Sequence, residues 1–119
     1  TIVFKTDHSR RSMVERVDFV SAPGFTSRDY YRMGRAEKVI TPLATFAYDQ
    51  ALRRLRVVAL QPGVTKDDVR ANTGFAPIGL DDALQAAPPT DEQLELLRTT
   101  VKAQLAEVYP VFASGLGVV

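Results

Sequence analysis

Few side chains in this sequence have the type and the company that chemistry needs. The single histidine, His8, stands between Asp7 and Ser9, where an imidazole could serve as a general base. A zinc site would need three or four ligands at set spacings. One histidine, no cysteine and scattered carboxylates do not supply them, so no metal is expected. The simpler reading of His8 is a solvent-facing loop residue. Arg10, Arg11 and Arg16 form a basic set that could clasp a phosphate or carboxylate, bidentately if well placed; the plainer reading is a solvated loop and strand face. The five glutamates are Glu15, Glu37, Glu92, Glu95 and Glu107. Glu92 and Glu95 belong to a helix start and its exposed face, and Glu15 and Glu37 flank strands. None lies in a strained or glycine-rich setting that would raise its pKa and mark it as an acid or nucleophile. Asp67-Asp68 reads as a helix start and Asp81-Asp82 as a loop. Gly24, Gly34 and Gly74 are isolated and form no phosphate-cradling loop.

Thr1 offers one sharper possibility. A terminal threonine whose free amine acts as base for its own hydroxyl is the nucleophile of a self-processed hydrolase, with Lys5 or Lys38 as the supporting cation. No glycine-rich turn accompanies either lysine, and 119 residues are few for the four-layer sandwich such enzymes use. The start at Thr1 rather than Met, directly into Ile2, Val3 and Phe4, carries a different expectation: a processed chain, or part of a longer one.

The elements that must position these groups follow from pattern. Hydrophobic residues make up 45% and charged residues 24% of the chain, which suits one globular domain. Fifteen Lys and Arg against 14 Asp and Glu leave a net charge of +1, which gives no bulk electrostatic claim on nucleic acid or an anionic membrane. No apolar run approaches the roughly 20 residues that span a bilayer. Strands are expected near 1–5, 15–21, 38–48 and 54–60, the first of them buried. The second rests on the alternation of Val17, Phe19 and Val20 with charged neighbours, and Pro23-Gly24 marks a turn after it. Residues 26–35 read as a polar loop carrying Arg28, Arg32 and Arg35. Pro42 makes its strand an edge or a bulged one, and a hairpin joins it to Leu55–Leu60. Helices are expected near 66–73 and 91–109. Thr65 with Asp68, and Thr90 with Gln93, form capping boxes, and Val64 and Val69 occupy staple positions. Gly74 is expected to end the first helix in a left-handed cap. Leu94, Leu97, Val101, Leu105 and Val108 draw one apolar stripe along the second, which Pro110 stops. Strands followed by two helices are a piece of an α/β or α+β layer.

Four segments, in order, resemble one family. Val14-Glu15-Arg16-Val17-Asp18-Phe19-Val20-Ser21-Ala22-Pro23-Gly24 is similar to a characteristic stretch of the β subunits of family I CoA-transferases. Val39-Ile40-Thr41-Pro42-Leu43-Ala44-Thr45-Phe46 is similar to the strand that follows it there. The run from Gln61-Pro62-Gly63-Val64-Thr65 through Asn72-Thr73-Gly74-Phe75 resembles that family's most recognisable C-terminal signature, and Pro88-Pro89-Thr90-Asp91-Glu92-Gln93 the start of its last helix. The nearest flavour is the glutaconate CoA-transferase branch, with its relatives in steroid-ring degradation.

The resemblance implies an α/β fold, part of an open CoA-transferase-like sheet with two C-terminal helices. It implies that residues 1–119 are the C-terminal portion of a single such domain, the N-terminal portion lying outside this chain. It also implies a reaction. A glutamate carboxylate attacks an acyl-CoA thioester and expels the CoA thiolate, leaving an acyl-glutamyl anhydride. The thiolate then attacks the glutamyl carbonyl and releases the carboxylic acid, so that one transfer becomes easier steps. Backbone amides stabilise the oxyanions. In the family that glutamate and its glycine-rich segment lie in the N-terminal part of the subunit, so no catalytic residue is carried onto this chain, and the residues that touch coenzyme A stay open. Coenzyme A enters as a thioester substrate, not a tightly held cofactor. The implied partners are an α subunit and the rest of the β subunit, in a cytoplasmic hetero-oligomer. The rivals are the Thr1 hydrolase and a non-catalytic module that completes a partner's sheet.

Overall fold

The computed structural model describes residues 1–21, 34 and 36–116. Its centre is an antiparallel hairpin of β3 (Ala44–Asp49) and β4 (Arg54–Leu60). Ala44 and Phe46, two residues apart on β3, both turn inward and are fully buried, as a half-covered strand requires. The hairpin turn is written by Asp49, whose Oδ1 accepts from the Ala51 and Leu52 amides at 3.1 and 2.9 Å. Arg53 completes it with a φ of 51°. These bonds and the Arg56 guanidinium, 3.3 Å from Asp49 Oδ2, hold the Asp49 carboxyl below its usual range, the Leu52 amide contributing most.

The sheet is mixed and open. Its order is β1 (Ile2–Phe4), β2 (Lys38–Ile40), β3, β4 and β5 (Leu84–Gln85). The inner three strands pair antiparallel, β2 with β3 and β3 with β4, and β1 on β2 and β5 on β4 are parallel. Strand β1, expected to be buried, is exposed at all three residues; it lies at the edge of the sheet with β2 as its one neighbour among the described residues. The single strand expected over 38–48 is two strands. Pro42 sits in the turn between them, where its missing N–H costs nothing, and Thr41 organises that turn: its N–H donates to the Ala44 carbonyl at 2.9 Å, and its Oγ1 accepts from the Ala44 amide at 3.0 Å. A bulge does occur, between Thr45 and Phe46.

The strand expected over 15–21 is absent among the described residues. Only Val14 makes a bridge, to Gly74, and Val17, Phe19 and Val20 are exposed. Alternation makes a strand only where a neighbour offers a ladder, and none is offered here. The run 22–33, Arg35 and 117–119, which include the Pro23-Gly24 turn and most of the arginine-bearing loop, lie outside the described residues.

From β4 the chain turns through Pro62 and Gly63. The Val64 amide reaches back to the Gln61 carbonyl at 3.0 Å while Gly63 takes a φ of 77°, the glycine position of a type II turn. Helix α1 (Lys66–Asn72) follows with the anticipated capping box: the Asp68 amide donates to Thr65 Oγ1, and the Thr65 amide to Asp68 Oδ2. The Thr65 hydroxyl and amide keep the Asp68 carboxyl below its ordinary range. Val69 is fully buried, and Val64 packs on the same core. That core also holds Met13, Ala44, Phe46, Val57, Leu60 and Leu80. Burying side chains such as Phe46, Val57 and Val69 completely is worth about 1.5–3 kcal/mol each. Helix α1 leads on to β5, closing a β-α-β connection.

Residues Thr1–Ala87 form one compact unit and Pro88–Val119 a second. In the second, Thr90 caps α2 (Asp91–Leu96) with Gln93 as its box partner. The helix continues through a π-helical turn at Leu97–Val101 into α3 (Lys102–Val108). Thr99 Oγ1 donates to the Glu95 carbonyl at 2.7 Å, back across the start of that turn. Of the expected apolar stripe, Leu94, Val101 and Leu105 are half-buried, whereas Leu97 and Val108 are exposed. Pro110 ends α3 and opens a short helix, α4 (Pro110–Gly115), at whose start its missing N–H is tolerated. Ala113 is the buried residue of α4.

Candidate functional site

His8 lies on a loop, but it is a clamp inside the fold rather than a solvent-facing residue. It is 7% exposed, with Nδ1 2.8 Å from Thr41 Oγ1 and Nε2 3.0 Å from Thr73 Oγ1. Its ring lies 5.8 Å from that of Phe46. It joins the turn before β3 to the end of α1, across 33 and 65 residues of chain. Each threonine hydroxyl has one proton to give. Thr73 Oγ1 lies 2.6 Å from the Val69 carbonyl and Thr41 Oγ1 2.8 Å from the Ala44 carbonyl. The Ala44 carbonyl already accepts from the Thr41 amide. A neutral imidazole protonated on Nε2 therefore satisfies the set: Nε2–H donates to Thr73, Thr73 donates to Val69, and Thr41 donates to Nδ1. Burial pushes the His8 pKa below its ordinary 6.5, against the pull of Asp7. Both ring nitrogens are engaged by threonine hydroxyls within the fold.

Beside this clamp lies an open cleft of about 550 Å³, lined by Arg10, Glu15, Arg70, Gly74, Phe75 and Asp81 among others. A second, of about 390 Å³, shares Glu15 and Phe75 and adds Arg53 and Arg54. Arg70 stands 2.8 Å from both Asp67 and Asp81, so its charge is largely balanced. Lys66 Nζ donates to the Asp81 carbonyl. Thr73, on the wall of the first cleft, faces His8. Glu15 is the one glutamate in either cleft, and neither includes a histidine or Thr1. The clefts can seat a small polar or anionic group.

Gly74 has a different role from the one its position suggests. Its φ is not positive, and the C-cap of α1 is Thr73 in an extended conformation. A Cβ on Gly74 would lie 2.6 Å from the Met13 carbonyl oxygen and 3.1 Å from that of Arg10. The Gly74 amide donates to that same Met13 carbonyl at 2.7 Å. Glycine is required here for close backbone approach.

The other sequence candidates are scattered. Thr1 is exposed at the start of β1, its carbonyl accepting from the Glu37 amide at 3.0 Å. Lys38 stands opposite Ile2 in the β1–β2 register, and the Lys5 amide donates to Ile40. Arg11, Arg16, Glu37, Glu92, Glu95 and Glu107 do not line either cleft. Asp7 accepts from the Ser9 hydroxyl at 2.8 Å, and the hydroxyls of Ser12 and Ser9 lower its pKa. Among the described residues no three His, Cys, Asp or Glu cluster as metal ligands, and no helix is long and apolar enough to cross a membrane. Sequence reasoning missed the His8 clamp with its partners Thr41 and Thr73, and the place of Phe75 in both clefts. A polar run such as Asp7–Ser12 has no period from which burial can be read.

No protein-family model matches the chain. Individual relatives do. It is 36% identical over 99 residues to the cholesterol ring-cleaving hydrolase IpdB subunit of Mycobacterium tuberculosis, covering 80% of this chain and 40% of that protein. The IpdB subunit of Rhodococcus jostii is 37% identical over 95 residues, covering 76% and 38%. A 3-oxoadipate CoA-transferase subunit of Pseudomonas knackmussii is 30% identical over 103 residues, covering 82% and 39%. The crystal structure of Rhodococcus jostii IpdAB superposes with a TM-score of 0.73 at 33% identity, over 82% of this chain and 41% of that one. Glutaconate coenzyme A-transferase from Acidaminococcus fermentans reaches 0.77 at 22% identity, over 88% and 42%, a likeness of fold. The chain thus spans about two fifths of the length of the relatives it matches. By these likenesses of sequence and fold, it belongs to the family I CoA-transferase β-subunit-like proteins.

Proposed function

We propose that this chain is the C-terminal portion of the β-type subunit of an enzyme that processes acyl-CoA thioesters, and that it contributes scaffold rather than reacting groups. The observation that carries the reading is the 36% identity to the IpdB subunit over 99 residues. The substrate is a CoA thioester of a carboxylic acid, and the reaction is CoA transfer or thioester hydrolysis through a glutamyl intermediate. The reacting glutamate lies in the remainder of the subunit. An α subunit completes a cytoplasmic hetero-oligomer. Because identity to the ring-cleaving hydrolase subunits exceeds that to the transferase, 36% against 30%, ring-derived carboxylic acids lead the substrate candidates.

The test is a trapping experiment on the full-length subunit with its α partner. A panel of acyl-CoA esters is supplied, and hydroxylamine or borohydride captures the covalent enzyme. The expected result is a modified glutamate outside residues 1–119, while residues 1–119 alone are inert and Thr1→Ala in them changes nothing. An activity of residues 1–119 alone that Thr1→Ala abolished would instead install the terminal-threonine hydrolase.

A further inference from the structure

The two clefts adjoin at Glu15 and Phe75, which line both, and their charges do not cancel. The second holds Arg53 and Arg54, two positive charges, against the one carboxylate of Glu15. In the first, Arg70 is answered by Asp67 and Asp81, each at 2.8 Å, which leaves Arg10 with the same Glu15. Among the described residues, none of Arg10, Arg53 and Arg54 forms an ion pair with Glu15 or with any other acid. Arg53 adds a second observation. It is the one non-glycine among the described residues with a positive φ, 51°, a region that is costly for an L side chain and free for glycine. Glycine would relax that turn, yet the position holds an exposed arginine on the wall of the second cleft. Strain of this kind persists where a side chain is put to use. Phe75 supplies the third. It packs on the core, stays half-buried and lines both clefts, and with Pro77 and Leu80 it gives the first an apolar wall.

We propose that the joined cleft binds a phosphate monoester carried on a flat ring, the chemistry of a nucleotide, with the phosphate on Arg53 and Arg54 and the ring against Phe75. A guanidinium is a planar fork of donors that matches phosphate bidentately. A phosphate monoester carries about 1.5–2 negative charges at pH 7, enough for two arginines, where a carboxylate carries one. An aromatic side chain takes a flat ring by offset stacking. The cleft volumes, about 550 and 390 Å³, lie within the about 300–1,000 Å³ of small-molecule sites. Glu15, common to both clefts, opposes the ligand's charge and so limits its affinity. The site follows from this chain's own residues and does not rest on the CoA-thioester reading. A free nucleotide and the nucleotide end of coenzyme A share the chemistry, and the choice of probes separates them.

Isothermal titration calorimetry on this chain tests it, with adenosine monophosphate, coenzyme A, adenosine and inorganic phosphate as probes. At least one of the first two should bind saturably, with adenosine and inorganic phosphate each weaker by about 10-fold or more. Arg54→Gln should weaken nucleotide binding by about 10-fold. Arg53→Gly should do the same without lowering the urea midpoint, because glycine suits the left-handed turn; a purely structural arginine would leave the affinity unchanged. Glu15→Gln should tighten binding by about 3-fold. Coenzyme A bound at least as tightly as the monophosphate supports the proposal and assigns the site to the nucleotide end of a thioester; preference for the monophosphate supports it and assigns a free nucleotide. No saturable binding of either at millimolar concentration overturns it, as does binding that Arg53→Gly and Arg54→Gln both leave unchanged. Inorganic phosphate bound as tightly as the nucleotides also overturns it, since the ring would then contribute nothing. Far-ultraviolet circular dichroism checks that each variant is folded, and if Arg54→Gln is not, Arg53→Gly decides. Turnover is not read, so a failure of the CoA-thioester assignment is seen separately in the trapping experiment.

Discussion

Substituting Gly74→Ala asks whether the approach of residues 10–14 to the end of α1 is as close as it must be. The added Cβ would stand 2.6 Å from the Met13 carbonyl oxygen, well inside contact distance, and the obstacle is backbone, which cannot rotate away. The two segments must separate, which weakens the 2.7 Å bond from the Gly74 amide to the same oxygen. Overpacking of this kind costs about 1–3 kcal/mol, and the lost bond about 0.5–1.5 kcal/mol. The unfolded chain with alanine is less flexible, which offsets about 0.4–1 kcal/mol. The net expectation is a loss of about 2–3 kcal/mol. Two other glycines calibrate it. Gly34 has nothing within 4 Å of its would-be Cβ, so Gly34→Ala should stay within about 0.5 kcal/mol. Gly63 also has open space, but its φ of 77° makes Gly63→Ala cost about 1 kcal/mol. Urea denaturation followed by far-ultraviolet circular dichroism, on the three variants side by side, gives the order. A Gly74→Ala midpoint at or above the parent, with an unchanged slope, would refute the close approach.

Three further expectations concern the same unit. Thr65→Ala removes the hydroxyl that caps α1 and should cost about 1 kcal/mol, with Thr65→Ser restoring most of it; the urea midpoint reports both. His8 is held neutral by burial, its pKa below 6.5 in the folded state, so the unfolded chain takes up the proton first. The His8 contribution should be full above about pH 6.5 and fall as the pH drops through the folded value, and a His8→Gln variant should lose that slope below about pH 6.5 whatever its absolute stability. Arg70→Ala breaks two ion pairs at 2.8 Å, but with Arg70 half exposed and both carboxylates largely in solvent it should cost no more than about 1 kcal/mol, and less as salt is raised.

What could be read in the sequence was whatever is local. The two capping boxes, the Val64–Val69 staple and the β3–β4 hairpin depend on residues a few positions apart, and all are present in the structure. The failures share one cause: each depends on a partner far along the chain. Val17 and Phe19 alternate as a strand would, yet no ladder reaches them among the described residues. Gly74 stands where a helix cap would, yet Met13, 61 residues earlier in number, is what excludes a side chain. His8 looked solvated because its neighbours are polar, while its partners Thr41 and Thr73 are 33 and 65 positions away. The apolar first segment is a strand as its residues require, but its burial depends on what covers it.

The Gln61–Phe75 signature now has a physical account. It follows β4, turns through Gly63, caps α1 with Thr65 and Asp68, seats Val69 in the core, meets His8 through Thr73 and lets Met13 approach at Gly74. Position after position is thereby constrained by conformation or contact, which makes the run recognisable. None of those constraints is a reaction. A segment can therefore identify a family of enzymes through its fold, because turn, cap, clamp and close approach are the means by which a scaffold holds its shape.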